Sequence, residues 1–128
     1  MKKYNCLNCG IECNYSHHNK ANKFCSNDCQ QKLRRKDTFT RLLEGNIKDR
    51  ATIRNTLIYQ FGRKCYECEL TEWRGHPIPL EVDHIDGNAG NNTYANLRLV
   101  CPNCHGITPT WKGRNKGNGR LSRGLPLN

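Results

Sequence analysis

The sequence predicts a small α+β protein whose fold is stabilised by zinc. The chain has 128 residues, of which 35% are hydrophobic, so one small domain or two very small ones can bury little apolar surface. Of the nine cysteines, eight fall in four close pairs beside segments with helix or strand periodicity. We therefore expect bound metal to supply stability that a thin core lacks.

The four cysteine pairs predict two structural Zn²⁺ ions, each held by four thiolates. In sequence order the ligands are Cys6, Cys9, Cys25 and Cys29 for the first ion, and Cys65, Cys68, Cys101 and Cys104 for the second. Two or three residues between paired cysteines let both sulfurs reach one tetrahedral ion. Any of Cys13, His17 and His18 could replace a ligand of the first site. We expect Cys13 to be a small buried or free thiol and both histidines to be solvated.

Charge and the start of the chain indicate a partner and a compartment. The formal net charge is +10, which favours a polyanion, and nucleic acid before a membrane surface. Polar, cysteine-bearing sequence follows Met1-Lys2-Lys3, and no apolar run approaches the length of a membrane span. We expect a cytoplasmic protein, where cysteine pairs stay reduced and bind metal, with no membrane partner.

Two helices are predicted in the first half of the chain. The first begins after Ser26, a helix-capping residue, and ends at Gly45. The second covers 49–61, with Asp49 as its cap, Gly62 as its stop, and an apolar stripe of Ile53, Leu57, Ile58 and Phe61. These ends predict a zinc finger with a basic helix at 1–45, a second domain at 46–113, and a flexible basic tail at 114–128.

Basic residues in several segments are candidates for binding DNA phosphates. The candidates are Arg34, Arg35, Arg98, Lys112, Arg114 and Lys116. Such residues are often only a solvated surface, so this role rests on the overall charge and on the predicted zinc sites.

The segment between the last two cysteine pairs, with the histidine that follows them, contains the candidate catalytic residues. Residues 74–79 predict a loop, 80–85 a strand that ends near the turn residues from Asp86 onward, 97–100 a second strand, and the region after Cys104 a short helix. Alternation places Asp83 and His84 on opposite faces unless the strand ends there. Asp83 and His105 could then share a cation, with His84 beside it as a base.

This block resembles the HNH endonuclease superfamily, whose core is the ββα-metal motif. The resemblance covers 65–113 and includes both flanking CxxC pairs, the run Asp83-His84-Ile85-Asp86-Gly87-Asn88, and the Asn96-Leu97 pair. It ends on His105, directly after the last cysteine. The first 36 residues resemble, less specifically, treble-clef-like zinc fingers that end in a basic helix. Many superfamily members come from phages and mobile elements, which favours the cytoplasm of a host cell as the compartment.

The resemblance implies a metal-dependent nuclease that hydrolyses DNA. It implies His84 as general base, Asp83 and His105 as metal ligands, and Asn96 as a brace for the loop that carries His84. The ion would be Mg²⁺ or Mn²⁺, although a histidine ligand also admits Ni²⁺, Co²⁺ or Zn²⁺. Some members have a further histidine four positions after the last, where this chain has Pro109. One such site cuts one strand, so cleavage of both strands would need a homodimer or two sequential events.

Two other functions remain open from the sequence. One is a DNA-binding zinc-finger protein whose nuclease-like block is inactive, and the other is an assembly protein that uses its fingers for protein contacts. The complete set of Asp83, His84, Asn96 and His105 argues for the enzyme.

Overall fold

A computed structural model describes residues 2–18 and 21–111 of the chain. It divides into two compact units, Met1–Thr40 and Arg41–Asn128, and the division falls inside the first long helix. The expected domain limits near residues 45 and 113 stay predictions. The tail expected at 114–128 lies outside the described residues.

The described chain contains six short strands and three α-helices. In chain order they are β1 (Lys3–Asn5), β2 (Glu12–Asn14), α1 (Asn27–Leu43), α2 (Arg50–Phe61), β3 (Glu72–Trp73), β4 (His76–Pro77), β5 (Glu81–His84), β6 (Leu97–Val100) and α3 (Pro102–Gly106). A single 3₁₀ turn, Tyr94–Asn96, precedes β6. The strands form three separate antiparallel pairs. This is the small mixed fold of helices and strands that the sequence predicts.

The first unit is a hairpin followed by the start of α1. Strands β1 and β2 pair with Tyr4 opposite Cys13. The first cysteine pair lies in the turn between them, where Gly10 N–H donates to the Cys6 carbonyl over 2.8 Å. The second pair lies at the start of α1, where Ser26 Oγ accepts from the Cys29 N–H over 3.2 Å. The predicted cap at Ser26 is confirmed, and it fixes Cys29 in the first turn of the helix.

Helix α2 begins and ends where the sequence predicts. Asp49 is its cap and accepts from the Thr52 N–H over 2.8 Å, and Gly62 ends it with φ of 85°. Ile53 and Leu57 are buried, as expected for an apolar face. The predicted stripe is wrong at Phe61, whose exposed fraction is 61%, because the helix ends there and its last turn passes beyond the core.

The segment predicted as a loop at 74–79 instead contains part of a small hairpin. Strands β3 and β4 pair with Trp73 opposite His76. Arg74 and Gly75 form the two-residue turn with φ of 52° and 79°. Two consecutive positive φ values match the right-handed twist of a tight hairpin. The prediction failed because arginine rarely adopts this conformation, so Arg74 gave no turn signal.

The second half of the chain is built on the β5–β6 pair. The register places Asp83 opposite Arg98 and His84 opposite Leu97. Helices α2 and α3 both pack against β5. The buried apolar side chains around this pair include Ile53, Ile78, Leu80, Leu99 and Val100, together with Cys65 and Cys101. The core is therefore small and runs directly into the second group of cysteines. Among the described residues, no helix is both long and apolar enough to cross a membrane.

Candidate active site

Asp83 and His105 converge from two different elements. Asp83 lies on β5 with 3% of its side chain exposed, and His105 lies on α3 with 18% exposed. Asp83 Oδ1 and His105 Nε2 are 3.5 Å apart. Two bonds of about 2.1 Å to one ion separate their donor atoms by about 3.0–3.5 Å. A carboxylate and an imidazole at this separation fit a divalent cation.

Glu81 orients the imidazole of His105. It precedes Asp83 by two residues on β5, so both carboxylates face the same side of the strand. Glu81 Oε2 lies 2.5 Å from His105 Nδ1. A carboxylate at Nδ1 accepts its proton and leaves the Nε2 lone pair directed at Asp83.

Arg98 is tied to the other oxygen of Asp83. Its Nε donates to Asp83 Oδ2 over 2.7 Å, its Nη1 pairs with Glu67, and its side chain is 15% exposed. Burial opposes the charged form most strongly, but the hydrogen bond to Asp83 and the charges of Asp83 and Glu67 together outweigh it, so the pKa of Arg98 is raised. Asp83 therefore has one oxygen held by Arg98 and one facing His105. Arg98, expected as a phosphate contact, lies instead in this ion pair.

His84 has a different partner from its neighbour on the strand. It is the last residue of β5, is 7% exposed, and its Nε2 lies 2.9 Å from Asn92 Oδ1. A carbonyl oxygen can only accept, so Nε2 carries the proton in this contact and Nδ1 keeps its lone pair. Because β5 ends at His84, strict alternation does not fix the face of His84 relative to Glu81 and Asp83. The hydrogen bonds found for His84 do not join it to either.

Asn96 braces the loop that follows His84. Its Oδ1 accepts from the Asp86 N–H over 3.0 Å, and its Nδ2 donates to Asp86 Oδ1 and to the Asn91 carbonyl, each over 2.9 Å. Its backbone carbonyl accepts from the Ile85 N–H over 2.9 Å. Four hydrogen bonds from one residue therefore hold both ends of the loop.

Asp86 is the second fixed point of this loop. The amide of Asn91 lowers the pKa of Asp86 most strongly, burial opposes it, and the Asn88 N–H and Asn96 amide lower it further. Asp86 and Asn88 also accept backbone N–H groups two residues ahead, at 2.7 and 2.9 Å. This pattern is the one by which such residues form turns, as the sequence predicts.

The second cysteine cluster, Cys65, Cys68, Cys101 and Cys104, is assembled directly beside these residues. One ligand atom from each lies within 4.8 Å of all the others, and the Cys68 and Cys101 sulfurs are 3.9 Å apart. Four bonds of about 2.3 Å to a tetrahedral zinc place the sulfurs about 3.8 Å apart. The donor set and its spacing therefore fit zinc.

The thiols of the second cluster cannot all ionise without a cation. Burial acts to raise the pKa of Cys65, yet N–H groups of Cys101, Cys68 and Glu67 lower it to about 6. Burial and the neighbouring sulfurs raise the pKa of Cys104 to about 12. A divalent ion would remove this conflict, since it stabilises every thiolate at once.

The first cysteine cluster, Cys6, Cys9, Cys25 and Cys29, repeats the arrangement. Its ligand atoms also lie within 4.8 Å of one another, with sulfur separations of 3.6 Å for Cys9–Cys25 and 3.4 Å for Cys25–Cys29. The Cys29 and Cys9 sulfurs raise the pKa of Cys25 to about 12. The donor set again fits zinc.

The three residues that could have replaced a ligand of this cluster lie elsewhere in the first unit. Cys13 is outside the four-sulfur group and contacts the Ile11 carbonyl over 3.7 Å. His17 and His18 are exposed, and His17 packs edge-on against Tyr15.

Only two of the other residues predicted to contact DNA lie in the described part of the chain. Arg34 and Arg35 are exposed on α1. Lys112, Arg114 and Lys116 lie outside the described residues. Their role in binding stays a prediction.

Two comparisons with known proteins bear on this geometry. Residues 71–106 match the family described as HNH endonuclease. This segment is therefore similar to HNH endonucleases. The match includes Asp83, His84, Asn96 and His105, and the resemblance inferred from the motif is confirmed.

One curated HNH relative extends the similarity. A stretch of 54 residues, 42% of the chain, is 56% identical to "H-N-H endonuclease F-TflIV" of Escherichia phage T5. The aligned stretch is 24% of that relative, so the chain spans about a quarter of its length. No solved structure matches the chain. The treble-clef-like identity of the first unit stays a prediction.

Glu81 and Asn92 are site residues that the sequence reasoning missed. Glu81 could have been predicted from the sequence, because strand alternation places it on the same face as Asp83. Asn92 could not have been predicted, since its contact with His84 depends on the path of the loop between β5 and β6.

Proposed function

We propose that the protein is a metal-dependent HNH endonuclease that hydrolyses DNA phosphodiester bonds with one catalytic ion. The observation that carries the proposal is the 3.5 Å approach of Asp83 and His105, with His84 next on the strand, inside the segment that matches the superfamily. Phosphodiester hydrolysis needs an activated water and stabilisation of charge on the phosphate. The four residues of the motif are of the types that supply both.

In this proposal Asp83 and His105 hold the catalytic ion. Asp83 binds through Oδ1, because Oδ2 is occupied by Arg98, and His105 binds through Nε2, because Nδ1 faces Glu81. A bound divalent ion would act as a Lewis acid toward the phosphate and the departing oxygen. Carboxylate and water ligands favour Mg²⁺ or Mn²⁺, whereas the imidazole also admits Ni²⁺, Co²⁺ or Zn²⁺. Two protein ligands leave positions for phosphate and water.

His84 acts as the general base in this mechanism. Asn92 holds the proton on Nε2, which leaves Nδ1 to accept a proton from water. The imidazole ring of histidine is suited to this transfer, because it can both accept and release a proton at neutral pH. Asn96 and Asp86 fix the loop that follows, so the ring keeps one orientation during the reaction.

The partners and the compartment are part of the same proposal. DNA is the substrate, and basic residues outside the site hold it, with Arg34 and Arg35 on α1 exposed for that purpose. One active site cuts one strand, so cleavage of both strands would require a homodimer. The phage origin of the relative supports action in the cytoplasm of a host cell.

The decisive experiment compares the wild-type protein with His84→Ala on supercoiled plasmid DNA. We expect nicking with Mg²⁺ or Mn²⁺, none when no divalent ion is added, and a loss of at least about 100-fold in His84→Ala, which is typical when a general base is removed. His76→Ala is the matched control, because His76 is an exposed histidine on β4 outside the site. Equal cleavage by wild type and His84→Ala would refute the mechanism. DNA binding without cleavage under any divalent ion would favour the inactive zinc-finger alternative.

A further inference from the structure

Two arginines of α2 line a cleft at the candidate metal site. The cleft has a volume of about 340 Å³ and is bordered by Arg50, Arg54, Glu81, Val82, His105 and Trp111. Residues four apart on a helix share one face, so both guanidinium groups belong to the side of α2 that borders the cleft. Glu81 and Val82 of β5, the strand that carries Asp83, also line this cleft.

Unlike Arg98, which is ion-paired with Asp83, these two arginines have no carboxylate partner among the described residues. Among the residues that the structure describes, no ion pair or side-chain hydrogen bond was found for Arg50 or Arg54, and both are exposed. The two hydrogen bonds from Thr52 lower the pKa of Asp49 most strongly, and the charge of Arg54 lowers it less. The Asp49 carboxylate is therefore bound to Thr52 and not to Arg54. Two guanidinium groups therefore face the cleft without a bound carboxylate.

The charge of the cleft favours an anion. Among the described residues that border it, Glu81 is the one acidic residue, and that carboxylate is paired with the His105 imidazole at 2.5 Å. The two arginines therefore dominate the field inside the cleft. The planar donors of arginine match the oxygens of a phosphate group, which they bind in pairs.

We propose that Arg50 and Arg54 together bind one phosphodiester group of the nucleic acid backbone in this cleft, beside His105. The proposal deepens the proposed function and rests on it in one respect: the bound phosphate is then the one presented to the metal site for hydrolysis. Binding itself requires neither the metal nor cleavage. It gives the site a means of positioning the phosphate that is independent of the ion.

The test measures binding of a fluorescent DNA duplex to the zinc-loaded protein, without added Mg²⁺ or Mn²⁺, over a range of salt concentrations. The variant is Arg50→Gln/Arg54→Gln, and the charge-matched control is Lys48→Gln/Arg74→Gln, which removes two exposed basic residues that do not border this cleft. Loss of hydrogen bonds to a charged group predicts a roughly 10- to 100-fold weaker Kd for the cleft variant. Because two arginines share one phosphate, the slope of log K against log salt should fall by about 1 relative to wild type.

Other results would overturn the proposal. The clamp is wrong if the cleft variant binds DNA no worse than the control, or if its slope falls by about 2, which would indicate two separate phosphates. Thermal unfolding of both variants checks that the fold is intact. Mn²⁺ should bind the cleft variant at least as tightly as the control, since neither arginine is a metal ligand and both repel a cation. If wild-type protein shows the expected binding but cuts no DNA, the proposed nuclease function fails while the phosphate clamp stands.

Discussion

The ion pair between Arg98 and Asp83 controls the charge at the centre of the site. Asp83 is 3% exposed, and Arg98 Nε at 2.7 Å is a full opposite charge beside it. Arg98→Met would leave a buried carboxylate unpaired, and such losses cost about 3–5 kcal/mol of unfolding free energy. Urea unfolding without added Mg²⁺ or Mn²⁺ measures this change.

A second substitution separates the two roles considered for Arg98. Adding Asp83→Asn to Arg98→Met removes the stranded charge, so the double variant should recover part of the lost stability. If Arg98→Met instead unfolds like wild type and only weakens DNA binding, Arg98 is a phosphate contact, as expected from its sequence position.

Asp86 makes the loop between β5 and β6 sensitive to acid. Its folded pKa lies below the ordinary value of 3.8, so its carboxylate stabilises the folded state above that value. This contribution is lost as pH falls through the lower, folded pKa. The stability difference between wild type and Asp86→Asn should therefore be large at about pH 6 and smaller at about pH 3. Urea unfolding measures it, and Asp37→Asn, a change on the exposed face of α1, should show no such pH dependence.

The motif allowed us to predict which residues form the site, but not which side chains they contact. The motif placed Asp83 and His105 together, and the structure brings them to 3.5 Å. The pairing of Arg98 with Asp83 depends on the register between two strands, which the sequence does not specify. The contact of Asn92 with His84 depends on the path of a loop, for which the sequence gives turn signals but no trajectory.

At the scale of elements, Gly62 sets the end of α2. Its φ of 85° and ψ of 167° lie in a region that only glycine adopts readily, and an added Cβ would meet no atom within 4 Å. Gly62→Ala should therefore lower the unfolding free energy by about 1–3 kcal/mol through backbone strain alone. Thermal unfolding measures the loss. Gly106→Ala is the control, since its Cβ also meets open space and its φ is outside the left-handed region.

Predictability differed among elements for physical reasons. Helix α2 was predicted to within a residue, because a cap, a stop and a buried face all agree. The β3–β4 hairpin was missed because two residues per strand give no alternation to detect. Strands β1 and β2, of three residues each, were likewise not predicted, and they lie on either side of a cysteine pair.

At the scale of the whole molecule, metal should decide whether the chain folds. Both cysteine clusters fit zinc, and Cys65 and Cys101 belong to the buried core. We expect about two zinc ions per chain by elemental analysis, in keeping with four thiolates per ion. A strong chelator should abolish the far-ultraviolet circular dichroism signal of the helices, because zinc binding supplies folding free energy in such small domains.

Single cysteine variants separate the ligands from the remaining thiol. Cys65→Ser should lose one zinc and, with it, the position of His105, which directly follows Cys104. Cys13→Ser should keep both ions, since Cys13 lies outside the four-sulfur group. A loss of zinc from Cys13→Ser, or full activity in a zinc-depleted Cys65→Ser protein, would contradict this assignment.

The pairing of β5 with β6 also limits which homologous sequences can retain the site. Asp83 faces Arg98 directly across the two strands, with leucines on either side of Arg98 at 97 and 99. A shift of one residue would place a leucine opposite the carboxylate and turn every side chain of the strand to the other face. Insertions between residues 85 and 95 would therefore have to bulge outward without moving either strand. We expect the length of this loop to vary among related sequences only if the hydrogen bonds between Asp86 and Asn96 are kept.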